Sequence, residues 1–272
     1  MKRLQNKKVL ITGGSSGIGL ALAKKFCAFD AHICLLARRQ DILESARDEI
    51  VLEYPEMKDS IHLISADVGD YISLENKLRS YIDTFDYPDI LINSAGITYP
   101  GEFLKLEWKI FEDIIRSNYL GTVYTTKIIA PGMVARKSGH IVNISSQSAY
   151  IGFYGYSAYG SSKAALQSFS RTLRGELKAY NVDVSIVYPQ DTDTPQLAFE
   201  NQLKPEITKK ISQLFSTHSA EQVAKEIIQG IQKGKFTIIP GWEGKLGVAF
   251  IPIIGRYYYH YTVSQVKKEL QK

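Results

Sequence analysis

Sulfur is scarce in this chain, with two cysteines and three methionines among 272 residues. A multi-disulfide scaffold is therefore excluded. Cys27 and Cys34 each sit in an apolar stretch and read as buried thiols of a reducing compartment. No apolar run approaches the ~20 residues needed to span a bilayer as a helix. Met1-Lys2-Arg3-Leu4-Gln5-Asn6 leads into the first apolar segment without a signal-peptide pattern. The expected location is the cytoplasm, with peripheral contact to a membrane surface left open. No basic block stands out either. The 33 basic and 28 acidic residues leave a net charge of +5, which suits an anionic cofactor or membrane surface and gives no sign of nucleic acid. No repeat, low-complexity tract or metal-ligand spacing is found, and no metal is expected.

What the chain does have is apolar content, 44% of its residues, enough for one large core. Strands are predicted at Lys8–Thr12, His32–Ala37, Ile61–Ala66, Ile90–Asn93, His140–Ser145, Val182–Tyr188 and Phe236–Ile239. Helical patterns lie between them, including a long one over Glu107–Ala135 and another from Ala158 onward. Strands and helices that alternate in this way predict an α/β fold, a Rossmann-like doubly wound parallel sheet in a single domain. Residues 1–240 are expected to form the dinucleotide-binding catalytic domain. Residues 241–272 read as an apolar and aromatic C-terminal extension: a lid, a subunit contact or a membrane-surface contact. His260 within it reads as structural.

Thr12-Gly13-Gly14-Ser15-Ser16-Gly17-Ile18-Gly19 joins a strand to a helix, the context a dinucleotide phosphate site requires. The second strand ends in Ala37-Arg38-Arg39, with no carboxylate to receive a ribose 2′-hydroxyl. Arg38, with Arg39 and Ser15, would instead favour the 2′-phosphate of NADPH; two solvated arginines are the plain alternative. Asp67, Asn93 and Ser146 also fall at strand ends, where such sheets bind ligands. Tyr159 and Lys163 are one helical turn apart, so the lysine charge should bring the phenol's pKa toward the working range. Ser146 would hold the oxygen of a carbonyl or alkoxide. Asn118 and Gly121 mark a defect in the long helix.

Together these residues resemble the short-chain dehydrogenase/reductase superfamily, to about Pro240. The resemblance implies hydride transfer between NADPH/NADP and a carbonyl or alcohol, in a homodimer or homotetramer. It makes Tyr159 the acid/base, Lys163 its partner and ribose ligand, Ser146 the substrate-orienting hydroxyl and Asn118 the holder of a relay water. It sets Asp67 and Val68 at the adenine, and Asn93, Ala95 and Gly96 along the nucleotide cleft. Pro189, Thr192 and Thr194 would lie beside the nicotinamide. Within the superfamily, Leu36-Ala-Arg38 and Tyr188-Pro-x-Asp-Thr-Asp-Thr-Pro195 are most similar to reductases of long-chain 3-keto amino alcohols; Gln190 and Gln196 depart from the usual pattern.

The expected reaction is reduction of 3-ketosphinganine to sphinganine. Asp191 or Asp193 would meet the substrate's amine, Gln196–Phe215 would form a mobile lid, and Leu246–Tyr261 would cover the alkyl tail. Another apolar carbonyl, such as a retinoid, steroid or acyl compound, is the alternative enzyme reading. A nucleotide-sensing protein on the same fold is the alternative from another class.

Overall fold

The computed structural model describes residues 4–213 and 216–270. Seven strands form one parallel sheet: β1 (Lys8–Thr12), β2 (His32–Ala37), β3 (Ile61–Ser65), β4 (Ile90–Asn93), β5 (Gly139–Ile144), β6 (Val182–Val187) and β9 (Thr237–Ile238). Their order is β3-β2-β1-β4-β5-β6-β9. A two-residue parallel pair, β7 (Thr192–Asp193) with β8 (His218–Ser219), stands apart. The predicted strands are all present, with boundaries shifted by at most one residue.

The strands read as continuous apolar runs because both faces of the sheet are covered. Along β1, Val9 and Ile11 enter one core layer and Leu10 the other. The first layer packs under α1 (Gly17–Cys27), α2 (Gln40–Glu53) and α9 (Ala220–Gln232), through Leu22, Phe26, Leu43, Ile50, Ile227 and Ile231. The second packs under α3 (Tyr71–Phe85), α5 (Gly121–Ala135) and α6 (Ser157–Lys178), through Leu74, Leu78, Ile129, Met133 and Leu177. Ser219 and Gln222 form a reciprocal capping box that starts α9. Each large aliphatic side chain buried in this way contributes ~1.5–3 kcal/mol. Cys27 and Cys34 are buried, free thiols, as expected.

The predicted helix over Glu107–Ala135 is interrupted. It comprises α4 (Trp108–Ile114), a π turn (Ile115–Leu120) and α5. The segment expected to be a mobile lid also differs. It folds into α7 (Pro195–Leu203) and α8 (Glu206–Ser212), and its last two positions, 214 and 215, lie outside the described residues. The C-terminal segment forms α10 (Trp242–Ala249) and α11 (Ile251–Leu270). His260, read as structural, is exposed, with its ring edge-on to Tyr259 at 5.4 Å. Among the described residues no helix is long and apolar enough to cross a membrane.

The crossovers leave opposite faces of the sheet on either side of the β1–β4 junction. The carboxyl ends of β1, β4, β5 and β6 therefore border one crevice.

Candidate active site

The floor of the crevice begins at the turn between β1 and α1. Gly17 has φ +53°, and a Cβ there would meet Thr194 Cγ2 at 3.0 Å. A Cβ at Gly19 would lie 2.2 Å from the Gly13 carbonyl oxygen. The turn is thus closed to side chains where a diphosphate backbone must approach. Ser16 precedes α1 in extended conformation and its side chain does not cap the helix, which leaves N–H groups of the first turn available to an anion. Gly13, Ser16, Gly17 and Ile18 line the cleft, and Ser15 is half-buried in the same turn. These residues fit a nicotinamide dinucleotide. Gly19→Ala should cost ~1–3 kcal/mol of stability from overpacking and weaken nucleotide binding. Thermal unfolding with and without nucleotide checks this; an unchanged midpoint in both would show that the turn has slack.

Arg38 and Arg39 leave the end of β2 exposed, and neither forms an ion pair among the described residues. Ser65 Oγ donates to the Arg38 carbonyl at 3.0 Å and holds its main chain against β3. Asp67 accepts from the Gly69 N–H at 2.8 Å, which fixes its own turn. Val68 is buried against Gly121, so only its main chain is available to a nucleotide.

Asn93 and Ala95 require a correction, since neither side chain lines the cleft. Asn93 is buried and donates to Asn143 Oδ1 at 2.9 Å and to Thr126 Oγ1 at 3.2 Å, cross-linking β4 to β5 and α5. Ala95 packs under Gly13, while Ser94 and Gly96 reach the cleft. The strand-end loop is held by Thr12 Oγ1, which accepts from the N–H groups of Ser94 and Ala95 at 3.1 Å each.

Tyr159 and Lys163 stand on α6, and Ser146 follows β5. The Ser145 hydroxyl donates to the Lys163 carbonyl at 3.0 Å, fixing the helix against the strand end. Lys163 is buried, donates from Nζ to the Ile144 carbonyl at 2.9 Å, and lies 5.6 Å from the centre of the Tyr159 ring. Burial lowers its pKa to about 8. The side chains of Ser146 and Gln196 act on the Tyr159 phenol, each favouring its ionised form.

Burial, with the Glu200 and Asp191 charges adding to it, raises the pKa of the Tyr159 phenol, and the side chains of Ser146 and Gln196 oppose this in part. One N–H of the Lys163 ammonium goes to the Ile144 carbonyl, which leaves two more for a partner.

Asn118 sits inside the π turn, fully buried. Its Oδ1 accepts from the Ile97 N–H at 2.7 Å, and its Nδ2 donates to the Ile97 carbonyl and to Ser162 Oγ, each at 3.0 Å. Ser162 in turn donates to the Tyr159 carbonyl at 2.7 Å. The side chain is thus a brace between the β4 loop and α6. Any relay water would have to use the Asn118 main-chain carbonyl, which accepts the Thr122 hydroxyl at 2.9 Å.

Beyond β6, Pro189, Thr192 and Thr194 all line the cleft as expected. Thr194 caps α7, and its hydroxyl donates to the Thr192 carbonyl at 3.1 Å. Asp191 lines the cleft and pairs with Lys204, but Asp193 is exposed in the β7–β8 pair and has no place at a substrate. Sequence reasoning missed Glu200 and Gln147, which line the cleft together with Tyr156, the alternative acid, and Tyr258 of the stretch expected to cover the tail. Glu200 accepts from Tyr156 Oη at 2.6 Å and from Gln196 Nε2 at 3.1 Å. Its signal was present as the Gln196, Glu200, Lys204 spacing of four, a polar stripe on one helical face. On α11, Tyr258 Oη accepts from the Tyr154 N–H at 2.7 Å.

Residues 7–204 match the family model described as short chain dehydrogenase. Over 242 residues the chain is 40% identical to 3-ketodihydrosphingosine reductase of Bos taurus, covering 89% of this chain and 73% of the cattle protein. It is 34% identical over 273 residues to the protein of that name from Dictyostelium discoideum, covering 95% and 82%. Among solved structures, a short-chain dehydrogenase/reductase from Burkholderia phymatum in complex with NAD superposes with a TM-score of 0.81 at 20% identity, covering 93% of this chain and 94% of that one. ElxO with NADP bound superposes with a TM-score of 0.75 at 26% identity, covering 88% and 99%. The match spans the glycine turn, the braced π turn and the Ser146, Tyr159 and Lys163 cluster, and the chain belongs to the short-chain dehydrogenase family, as an oxidoreductase that works on a keto group with a nicotinamide cofactor.

Proposed function

We propose that this chain reduces the ketone of 3-ketosphinganine to sphinganine, with NADPH as reductant. The observation that carries the reading is that Ser146, Tyr159 and Lys163 line one cleft whose wall also holds the carboxyl groups of Asp191 and Glu200. When bound, the cofactor supplies the hydride. Ser146 and Tyr159 hold the substrate oxygen between two hydroxyls, and Tyr159 delivers the proton that the new alcohol needs. Lys163 fixes the ribose side and can assist the phenol. Arg38, with Arg39 and Ser15 near it, binds the 2′-phosphate, and Asp67 and the Val68 main chain border the adenine.

Residues 1–240 act as the catalytic domain and 241–272 as its cover. Tyr154 and Tyr258 border both the cleft and an adjoining groove lined by Ile151, Val263 and Val266, which offers an alkyl tail a path outward. Each methylene buried there contributes about 0.8 kcal/mol. Tyr259 of this groove is exposed, as are Trp242, Leu246, Phe250 and Tyr257 on the same two C-terminal helices, apolar surface suited to resting on the membrane that holds the lipid. A homodimer or homotetramer follows the family habit.

Purified protein, NADPH and three ketones test the reading: 3-ketosphinganine, a neutral β-ketone of equal length and a short keto ester. Turnover should be greatest with the amino ketone and rise with chain length. Good turnover of either neutral compound with none of the amino ketone would leave a reductase of some other apolar carbonyl.

A further inference from the structure

Two acidic side chains of the cleft have no part in the steps above, Asp191 and Glu200, and the first of them pairs with Lys204. Lys204 is 4% exposed, and its Nζ lies 3.5 Å from Asp191 Oδ2, which makes a neutral pair. Glu200 is 6% exposed and lacks such a partner. Its two oxygens accept from Tyr156 Oη and Gln196 Nε2, both neutral donors, and no cation lies within ion-pair distance among the described residues. A carboxylate placed this way is hydrogen-bonded but uncompensated, a costly arrangement until a cation arrives. Burial, with Asp191 adding to it, raises its pKa; the two hydrogen bonds and the more distant Lys204 oppose the rise.

Position decides which cation fits. Glu200 accepts from Tyr156, whose ring lies 5.9 Å from that of Tyr159, and it lines the same cleft, so the carboxylate is a near neighbour of the donor that meets the substrate oxygen. An ammonium on the carbon beside a ketone lies roughly 3 Å from that oxygen, and an ammonium–carboxylate contact adds about 2.7–2.9 Å. We propose that Glu200 recognises the protonated amine of a 2-amino ketone substrate and thereby selects it over neutral ketones of equal length. The assignment rests on the substrate reading given above and moves amine recognition away from Asp191, which Lys204 already satisfies.

The test compares kcat/KM for 3-ketosphinganine and for its analogue without the amine, in the unmutated protein and in Glu200→Gln and Glu200→Asp. The unmutated protein should prefer the amino ketone by about 10²-fold, as expected for a desolvated charge-assisted contact. Glu200→Gln should bring the ratio near one, mostly through KM, and Glu200→Asp should retain much of it. If Glu200→Gln lowers both substrates equally, the residue only supports the fold and the proposal fails, while the substrate reading stands. No turnover of the amino ketone by the unmutated protein ends both. Calorimetry on the unmutated protein with NADP keeps the question open to refutation even if the variants do not fold. Sphinganine shortened to ten carbons should bind at least ~30-fold more tightly than decane-1,3-diol, and equal affinities overturn the proposal.

Discussion

Tyr159→Phe is expected to cut turnover by ~10²–10⁴-fold while NADPH still binds. The ring keeps its place, 5.9 Å from that of Tyr156 and 5.6 Å from Lys163 Nζ at their reference points. Only the hydroxyl is lost, and with it the interaction with Ser146 and Gln196 and the proton for the new alcohol. Steady-state kinetics and a separate titration of the bound reduced cofactor distinguish the two effects. Near-normal turnover would move the acid elsewhere. Tyr156 would be the first candidate, although its hydroxyl is committed to Glu200 at 2.6 Å and burial and that charge raise its pKa strongly.

The second large effect concerns the choice of cofactor. NADPH should be preferred over NADH, because the end of β2 offers two exposed guanidiniums to a phosphate and no carboxylate to a ribose hydroxyl. Arg38→Asp replaces attraction with repulsion at that point and should narrow or reverse the ratio of kcat/KM, with a change of ~10²-fold or more. Arg38 holds its place through its main chain, bonded to Ser65, so the substitution leaves the loop anchored. Equal efficiency with both cofactors in the unmutated protein would refute the assignment.

The sheet was legible because burial on both faces writes each strand as an apolar run, as in Val9-Leu10-Ile11 and Ile90-Leu91-Ile92. The glycine turn was legible from its strand and helix flanks, and the Tyr159–Lys163 pair from the company of the other strand-end residues and the family resemblance that they carry together. The helices of the expected lid were not legible from its length and polarity. Pro195 opens α7 and Pro205 precedes α8, where a fixed φ and a missing N–H cost nothing. Pro252 likewise stands second in α11. The π turn was visible only as an awkward Asn118 and Gly121; nothing local says that the surplus residue braces Ile97 and Ser162. The surroundings of the Tyr159 phenol were out of reach, since its burial, and the Glu200 charge that adds to it, come only with the fold of the cleft.

The two sealed sulfurs have a consequence for how such a protein lives with its own substrate pair. Burial raises the Cys27 thiol's pKa to about 12 and that of Cys34 further still, and Cys27 Sγ is turned onto the Ala23 carbonyl at 3.4 Å. The groups that do the work are a phenol, a serine hydroxyl and an ammonium, none of which an oxidant readily alters. The catalyst therefore draws on the cell's reducing power without sensing it through thiols of its own. A fall in the supply of reduced nicotinamide would lower flux while leaving the buried thiols unaltered.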